Sequence, residues 1–397
     1  MLLDDVRQRL FAPVRSPTPQ AIGLELELLP LHQSSRIRAL AAKDPTASTS
    51  DVLSQLGRRE RWLEESNGED PPSWTLADGA RISFEPGGQI EISTAPQQTA
   101  SAVIDSTQTL AATLRDAMSK AGIELLARGV DPYNDIGSVP LQLHRDRYTG
   151  MTRYFDSIGP SGIRMMRQTA ALQINLERGD DPKSRWRLLN SLAPIVVALF
   201  ANSRVYAGKP TGWGSYRSQF WRTLDPSRTG IVYDETAHVE RYAKFALDAI
   251  AMRSGADGEG YRSFREWMRE PTVNREDWLF HLSTLFPEVR PKEFFELRSA
   301  DTIEPAALAA PVLFVTNLVY DPESASRAQE MIGAPSDKLL ERAGRLGLAD
   351  PEIRRIASRL VVLALDGARR LGADYLQRSH LSSAYQYFAR ALALNDI

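Results

Sequence analysis

The sequence predicts an α+β protein in which a mostly antiparallel sheet is packed against helices and is followed by an all-helical C-terminal region. Two observations support this. Four segments alternate apolar and polar residues with the period of a half-buried strand, and from residue 305 onward only helical periodicity is present. The strands are predicted at residues 22–28, 81–94, 171–177 and 295–298. Helices are predicted at residues 102–120, 184–203, 236–251, 305–319, 323–347, 352–371 and 378–394.

This order predicts one catalytic sheet-and-helix domain over residues 1–301, with a helical region at 302–397 packed on the same domain. Residues 41–73 are polar and rich in proline and serine. We expect them to form a mobile surface loop around a short helix near residues 53–63.

Composition excludes several classes of protein. The chain has 397 residues, of which 43% are hydrophobic and 25% charged, with a net charge of −2. It therefore has no basic surplus for binding nucleic acid or anionic lipid. The absence of cysteine excludes disulfides and thiolate nucleophiles. Apolar stretches are shorter than the ~20 residues that span a bilayer, and the acidic N-terminal start does not resemble a signal peptide. We expect a cytoplasmic protein with no membrane partner.

The polar face of the predicted strands is unusual. A single strand with glutamates on one side has a simple explanation, since that side normally faces water. Across the four strands, however, the polar face carries carboxylates and amides with no lysine, whereas a solvated face would mix both charges. The residues on this face are Glu25, Glu27, Glu85, Glu91, Gln173, Asn175, Glu296 and Arg298.

If these strands share one sheet, the carboxylates converge and raise one another's pKa values unless a cation neutralises them. Oxygen ligands without cysteine favour Mg²⁺ or Mn²⁺. Because Mg²⁺ held by carboxylates is commonly completed by substrate phosphates, the pattern indicates an ATP site. The sequence has no Walker or dinucleotide-binding glycine motif. Metal and carboxylate chemistry on an antiparallel sheet is the remaining enzyme hypothesis.

Several motifs, in this order along the chain, resemble the plant-type glutamate-cysteine ligase family. The most specific segment is Phe84-Glu85-Pro86-Gly87-Gly88-Gln89-Ile90-Glu91, in which the glycines are expected to bend the chain so that Glu85 and Glu91 point inward. The other matching segments are Gly23 to Glu27, Arg147-Tyr148, Met165-Met166, Gln173 to Leu176, Asn202-Ser203, Arg228-Thr229-Gly230, Glu288-Val289-Arg290 and Glu296 to Asp301.

The resemblance implies a glutamine-synthetase-like fold, in which the concave face of a curved sheet holds metal, ATP and glutamate. It also implies a two-step reaction. ATP phosphorylates the γ-carboxylate of L-glutamate, and the amine of L-cysteine then displaces phosphate to give γ-glutamylcysteine.

The resemblance also implies roles for individual residues. The metal ligands would be Glu25, Glu27, Glu85, Glu91 and Glu296. Arg298 and Glu296 would be catalytic, with Arg298 stabilising the transferred phosphoryl group or, alternatively, forming a salt bridge with a neighbouring carboxylate. Gln173, Asn175 and Arg298 would bind the nucleotide. Substrate binding would fall to Arg147, Tyr148, Met151, Thr169, Arg217 and Arg228.

For some of these residues a structural role is an open alternative. Arg217 and Arg228 would also suit ion pairs in loops. Tyr148 and Met151 lie at helical spacing and would also suit a core, and Trp221 is expected to be a packing residue near the site.

Two departures from the family pattern bear on function. Without cysteine, the disulfide control of some members is excluded. The chain is also compact, which favours the branch that makes γ-glutamylcysteine for ergothioneine over the longer glutathione-pathway enzymes. Two alternatives stay open: a ligase that joins glutamate to another amine, and an inactive homologue that serves as a binding subunit. We expect a monomer or a homodimer.

Overall fold

The computed structural model describes residues 2–15, 21–66, 68, 70–255 and 260–393. The strands in these ranges are β1 (Ile22–His32), β2 (Leu63–Glu65), β3 (Ser73–Thr75), β4 (Arg81–Phe84), β5 (Ile90–Ser93), β6 (Ile123–Leu126), β7 (Ala171–Leu176), β8 (Val205–Tyr206), β9 (Lys209–Pro210), β10 (Thr229–Gly230), β11 (Phe286–Pro287), β12 (Val289–Pro291) and β13 (Phe295–Asp301).

The α-helices in the same ranges are interspersed with the strands along the chain. They are α1 (Leu2–Asp5), α2 (Thr49–Glu60), α3 (Ala100–Lys120), α4 (Asp146–Ile158), α5 (Pro160–Gln168), α6 (Pro182–Leu199), α7 (Tyr216–Leu224), α8 (His238–Asp248), α9 (Phe264–Trp267), α10 (Arg275–Ser283), α11 (Ala309–Tyr320), α12 (Pro322–Ile332), α13 (Asp337–Leu346), α14 (Pro351–Leu371) and α15 (Arg378–Leu392).

The main sheet joins all the predicted strands. In the described chain its order is β12-β13-β7-β1-β5-β4-β3-β2, with β6 also paired to β1, and every pairing in it is antiparallel. The register places Glu25 opposite Gln173 on one side and Ser93 on the other. Glu296 lies opposite Asn175. The predicted α+β class and the convergence of the polar residues on one sheet are therefore confirmed.

The opposite face of the sheet forms the main core. Leu24, Leu26 and Leu28 of β1 are fully buried, and helices α3, α6 and α11 contact this part of the sheet. The polar face is also covered, since Glu27 is only 8% exposed. The expectation of a half-buried strand is therefore wrong for β1: both of its faces are enclosed.

Two predicted helices have different bounds in the structure. The predicted helix 323–347 is two helices, because α12 ends at Gly333, whose positive φ of 78° suits glycine. A new N-terminus then forms at Ser336, whose side chain accepts a hydrogen bond from the Leu339 backbone. The helix expected near residues 53–63 begins earlier, since Ser48 caps α2.

The remaining part of the predicted loop 41–73 contains β2 and the start of β3, and its residues 67 and 69 lie outside the described chain. The boundary between residues 301 and 302 stays a prediction. Within the described ranges, none of the helices combines the length and the apolar character that crossing a bilayer requires.

The turn between β4 and β5 depends on two adjacent glycines. A Cβ on Gly87 would lie 2.1 Å from the backbone oxygen of Arg167, which is impossible without moving the chain. Gly88 has a φ of 78° and lies against the side chain of Gln142. The turn is closed by hydrogen bonds between the backbones of Glu85 and Gln89 and of Gly88 and Glu85. Glycine is therefore required at both positions if Glu85 and Glu91 are to reach the same place.

The substitution Gly87→Ala should lower the free energy of unfolding by about 3 kcal/mol or more, since the added methyl group overlaps main chain that cannot move aside. Gly122→Ala is a control without overlap: nothing lies within 4 Å of its added Cβ, although Gly122, unlike Gly87, has a positive φ of 74°. Its cost should be the conformational one alone, ~1–2 kcal/mol. Urea unfolding measures both, and equal losses would contradict the proposed overlap.

Candidate active site

A cavity of about 270 Å³ lies against the polar face of the sheet. Its walls come from β1, β5, β7, β13, the β4–β5 turn and helices α4, α5 and α7. Most of the residues predicted from the sequence meet there. Those that line it are Glu25, Glu27, Glu85, Glu91, Arg147, Tyr148, Met151, Thr169, Gln173, Arg217 and Arg298.

One wall of the cavity is acidic. Glu27 accepts hydrogen bonds from the Ala171 backbone at 2.8 Å and the Gln173 amide at 3.2 Å, yet burial and the neighbouring charge of Glu85 raise its pKa to about 8. Burial likewise raises the pKa of Glu85, and burial together with the nearby glutamates raises that of Glu91 well above its usual range. These carboxylates are costly to keep ionised without a cation.

The opposite wall is basic. Arg298 and Arg217 are 7% and 3% exposed, and burial lowers the pKa of Arg217. Arg290 and Lys292 from the β12 region also line the cavity. Arg147 approaches from α4, where its guanidinium donates to the hydroxyl and the backbone oxygen of Ser283 at 2.7 and 2.9 Å. The strand order thus places the carboxylates of β1 and β5 on one side of β7 and the cations of β12 and β13 on the other.

Gln173 connects the two walls. Its amide nitrogen donates to Glu27, and its amide oxygen accepts a hydrogen bond from Arg298 at 2.9 Å. Each end of the amide has a partner of matching character, so its orientation is fixed. Gln173 therefore lies between Glu27 and Arg298 and bridges them by hydrogen bonds.

The end of the cavity nearest α4 and α5 is apolar. It is formed by a small hydrophobic cluster that includes Met151, Met165 and Met166 with Trp221 and Phe286. Tyr148 lies beside it, and burial raises its pKa to about 12, so its hydroxyl stays protonated near neutral pH. The cavity therefore provides apolar contacts as well as charge.

Comparison with known proteins identifies the group to which this arrangement belongs. The model of the glutamate-cysteine ligase family 2 matches residues 21–394. The chain belongs to this family. It is 33% identical over 338 residues to glutamate–cysteine ligase EgtA of Mycolicibacterium smegmatis, covering 80% of this chain and 77% of that protein. The predicted family resemblance is thereby confirmed.

A plant relative is similar to the same degree. The chain is 32% identical over 353 residues to the chloroplastic glutamate–cysteine ligase A of Oryza sativa subsp. japonica, covering 81% of this chain and 70% of the plant protein. Among solved structures, a glutamate–cysteine ligase from Francisella tularensis in complex with AMP aligns over 96% of both chains, at 12% identity and a TM-score of 0.45.

The structure places one predicted metal ligand elsewhere. Glu296 does not line the cavity and is fully buried. Its carboxylate pairs with Arg290 at 2.7 Å, Lys292 at 2.5 Å and Arg298. Burial alone would raise its pKa, but the three cations hold it well below its usual range. In this structure Glu296 is therefore the counter-ion of the basic wall, and its role as a metal ligand stays a prediction.

Arg228, predicted to bind substrate, does not line the cavity, and its side chain is fully buried. It donates to the carboxylate of Asp225 at 2.7 Å, to the Thr284 backbone oxygen at 2.9 Å and to that of Ile250 at 2.5 Å. These contacts include the ion pair of the open alternative. The binding of glutamate by Arg228 stays a prediction.

Asn175 and Thr169 differ from their expected roles in a smaller way. Asn175 does not line the cavity; its amide donates to Glu25 at 3.0 Å and orients that carboxylate, and its contact with a nucleotide stays a prediction. Thr169 lines the cavity, but its hydroxyl donates to the Met165 backbone oxygen at 2.6 Å. The alternative of a core role for Met151 also applies in part, because it is 3% exposed within the apolar cluster.

Some functional residues had no assigned role from the sequence. Arg290 and Lys292 line the cavity, and the only sequence signal for Arg290 was its place in the family motif. Gln89 also lines it and donates to the Thr169 backbone oxygen at 2.8 Å. Asp301 lies behind Arg217, where it accepts hydrogen bonds from the hydroxyls of Ser203 and Ser215 at 2.6 and 2.8 Å.

The substitution Glu296→Gln should lower the free energy of unfolding by about 3–5 kcal/mol, because it leaves buried cations without their counter-ion. Glu85→Gln is the matched control. It removes a carboxylate whose ionisation is already unfavourable, so stability should change by less than about 1 kcal/mol or increase. Urea unfolding at neutral pH tests the pair, and a similar loss in both variants would contradict the counter-ion role.

The difference in the free energy of unfolding between wild type and Glu296→Gln should depend on pH. In the unfolded chain the Glu296 carboxyl takes a proton near pH 4.5, whereas in the folded chain it stays ionised to lower pH. The stability it contributes is therefore complete above pH 4.5 and is lost as the pH falls toward its folded pKa. The difference between wild type and Glu296→Gln should be constant from pH 5 to 7 and should shrink in more acidic solution.

Proposed function

We propose that this protein catalyses the ATP-dependent ligation of the γ-carboxylate of L-glutamate to the amine of L-cysteine, giving γ-glutamylcysteine, ADP and phosphate. Membership of the family and the activities printed in the names of the relatives support the reaction. The observation that carries it is a single cavity in which buried carboxylates face buried guanidinium groups. That arrangement suits phosphoryl transfer, where charge must be neutralised on both sides of the moving group.

The first step activates glutamate. A carboxylate is a poor electrophile and oxide is a very poor leaving group, so its oxygen first attacks the γ-phosphorus of ATP and ADP leaves. Negative charge is spread over the transferred phosphoryl oxygens. Arg298 is placed to stabilise this charge, because Glu296 and Gln173 fix its guanidinium at the cavity wall. Arg217 is placed beside it to bind a carboxylate or phosphoryl oxygen.

We propose that Glu25, Glu27, Glu85 and Glu91 hold Mg²⁺ or Mn²⁺. The chemistry of the donors fits, since several buried carboxylates have raised pKa values and repel one another. Among the described residues, no three acidic or histidine side chains form a group that would hold an ion by itself. Mg²⁺ commonly takes one or two carboxylates and completes its shell with water and phosphate. When bound, the ion would supply positive charge to the phosphates of ATP.

The second step joins the amine. Its nitrogen attacks the carbonyl carbon of the γ-glutamyl phosphate, phosphate leaves, and the nitrogen loses a proton to give the amide. We place the acceptor near Arg147, Tyr148 and Met151, beside the apolar cluster of the cavity. Arg147 supplies a cation for the carboxylate of the acceptor, and the protonated hydroxyl of Tyr148 supplies a hydrogen-bond donor.

The reaction is tested by measuring ADP release from purified protein with ATP, Mg²⁺ and L-glutamate, with and without L-cysteine, and by identifying the product by mass. We expect cysteine-dependent release with formation of γ-glutamylcysteine, and loss of release after EDTA treatment that added Mg²⁺ restores. Glutamate-dependent release that ignores cysteine would support activation of glutamate but indicate another amine. A lack of glutamate-dependent release would contradict the proposed function and favour a binding role.

Glu85→Gln should abolish Mg²⁺-dependent turnover while the fold is retained, because the amide keeps the shape of the side chain but loses the anionic ligand. Turnover at increasing Mg²⁺ concentration, with a circular dichroism spectrum of each protein, measures this. Glu304→Gln provides a control for the same change of charge, since Glu304 does not line the cavity and its carboxylate pairs with Arg115 at 2.9 Å. Wild-type turnover of Glu85→Gln at saturating Mg²⁺ would remove Glu85 from the metal site.

A further inference from the structure

Two buried arginines of the cavity lie close to one aromatic ring. The Cζ atom of Arg217 is 4.6 Å from the centre of the Trp221 ring, and that of Arg298 is 5.4 Å from it. Both distances are within the range of a cation–π interaction. The two side chains come from different parts of the chain, α7 and β13, and the indole is the group that contacts both of their charged ends.

The indole itself is fixed. Its Nε1 donates to the Phe286 backbone oxygen at 3.0 Å, and the Phe286 ring packs edge-on at a centroid distance of 6.0 Å. Trp221 is 6% exposed and lines the cavity. Because the hydrogen bond and the Phe286 ring fix the orientation of the indole, its aromatic face is held in a defined position toward Arg217 and Arg298.

The arginines need such support because they are like charges in a buried place. Arg217 donates to the backbone oxygen of Arg298 at 2.8 Å, which brings the two residues together. The buried carboxylates Asp301, Glu27 and Glu288 raise the pKa of Arg217 against the lowering effect of burial. These carboxylates offset part of the positive charge of the pair.

The two arginines line the same cavity. Their guanidinium groups therefore offer two positively charged donor groups to one oxyanion bound there.

We propose that Trp221 is a positioning residue that holds Arg217 and Arg298 side by side, so that both guanidinium groups bind one phosphoryl group. This role rests on the proposed function, because it adds Trp221 to the two arginines that would bind the transferred phosphoryl group. The aromatic face lowers the cost of keeping two cations together before the anion arrives. The phosphoryl group then meets a preformed pair of donors and needs no rearrangement of the protein.

The test compares two variants at this position. Trp221→Phe keeps an aromatic face and loses only the hydrogen bond to Phe286, whereas Trp221→Leu keeps apolar volume and loses the face. Trp267→Leu is the control for the loss of a tryptophan, since Trp267 packs on Phe264 and does not line the cavity. Binding of inorganic phosphate is measured by calorimetry without other substrates, and kcat and the KM values are measured in the ADP-release assay.

We expect Trp221→Leu to weaken phosphate binding and to lower kcat by about tenfold each, which corresponds to the loss of two modest cation–π contacts. Trp221→Phe should stay within about threefold in both measurements, and Trp267→Leu should match the wild type. A residue that only fills space would lower thermal stability but would not separate Phe from Leu in phosphate affinity.

Two results would overturn the proposal: wild-type phosphate affinity in Trp221→Leu, or an equal loss in the Phe and Leu variants. If Trp221→Leu does not fold, Trp221→Met replaces it, because methionine fills irregular apolar space without a cation-binding face. The phosphate titration needs no turnover. Failure of the wild type to release ADP would therefore reject the proposed function, while the affinities would still decide the role of Trp221.

Discussion

The active cavity depends on the ion cluster around Glu296. This carboxylate lies on β13, opposite Asn175 of the neighbouring strand, and holds Arg290, Lys292 and Arg298 around itself. Without it, the basic wall would be a set of mutually repelling charges in a buried place. With it, the wall keeps its cations in fixed positions and still has positive charge left for a substrate. On the acidic wall, Lys292 lies 3.9 Å from Glu25, but Glu27, Glu85 and Glu91 form no salt bridge among the described residues, and burial raises their pKa values.

The antiparallel sheet makes this division possible. Alternate residues of adjacent strands point to the same face, and the register brings Glu25, Gln173 and Ser93 into one row. The helices bury the other face with leucines and isoleucines. The β4–β5 turn and helices α4, α5 and α7 then close the cavity around the polar face. Chemistry and folding therefore use opposite faces of the same strands.

Much of this was accessible from the sequence. Strict alternation predicted the four strands, and the unusual run of carboxylates on one face predicted their convergence. The apolar–polar alternation of a strand does not show which residue of the neighbouring strand lies opposite each of its side chains. Glu296 was placed on the correct face, but only the register with β12 shows that Arg290 lies opposite it. Arg228 lies in a family motif, yet long-range packing turns it toward Asp225 and two backbone oxygens.

The contact between Gly87 and the backbone of Arg167 has a consequence for how this cavity changes during evolution. It joins the turn that carries Glu85 to the end of α5, which carries Met165 and Met166, through main chain, and the Gln89 side chain adds a hydrogen bond to the Met166 backbone oxygen at 3.3 Å. The spacing of the acidic wall and the apolar end is thus set independently of their side chains. Substitutions among the methionines would alter which acceptor fits while the carboxylates keep their positions, so new acceptor preferences could arise without rebuilding the phosphoryl-transfer site.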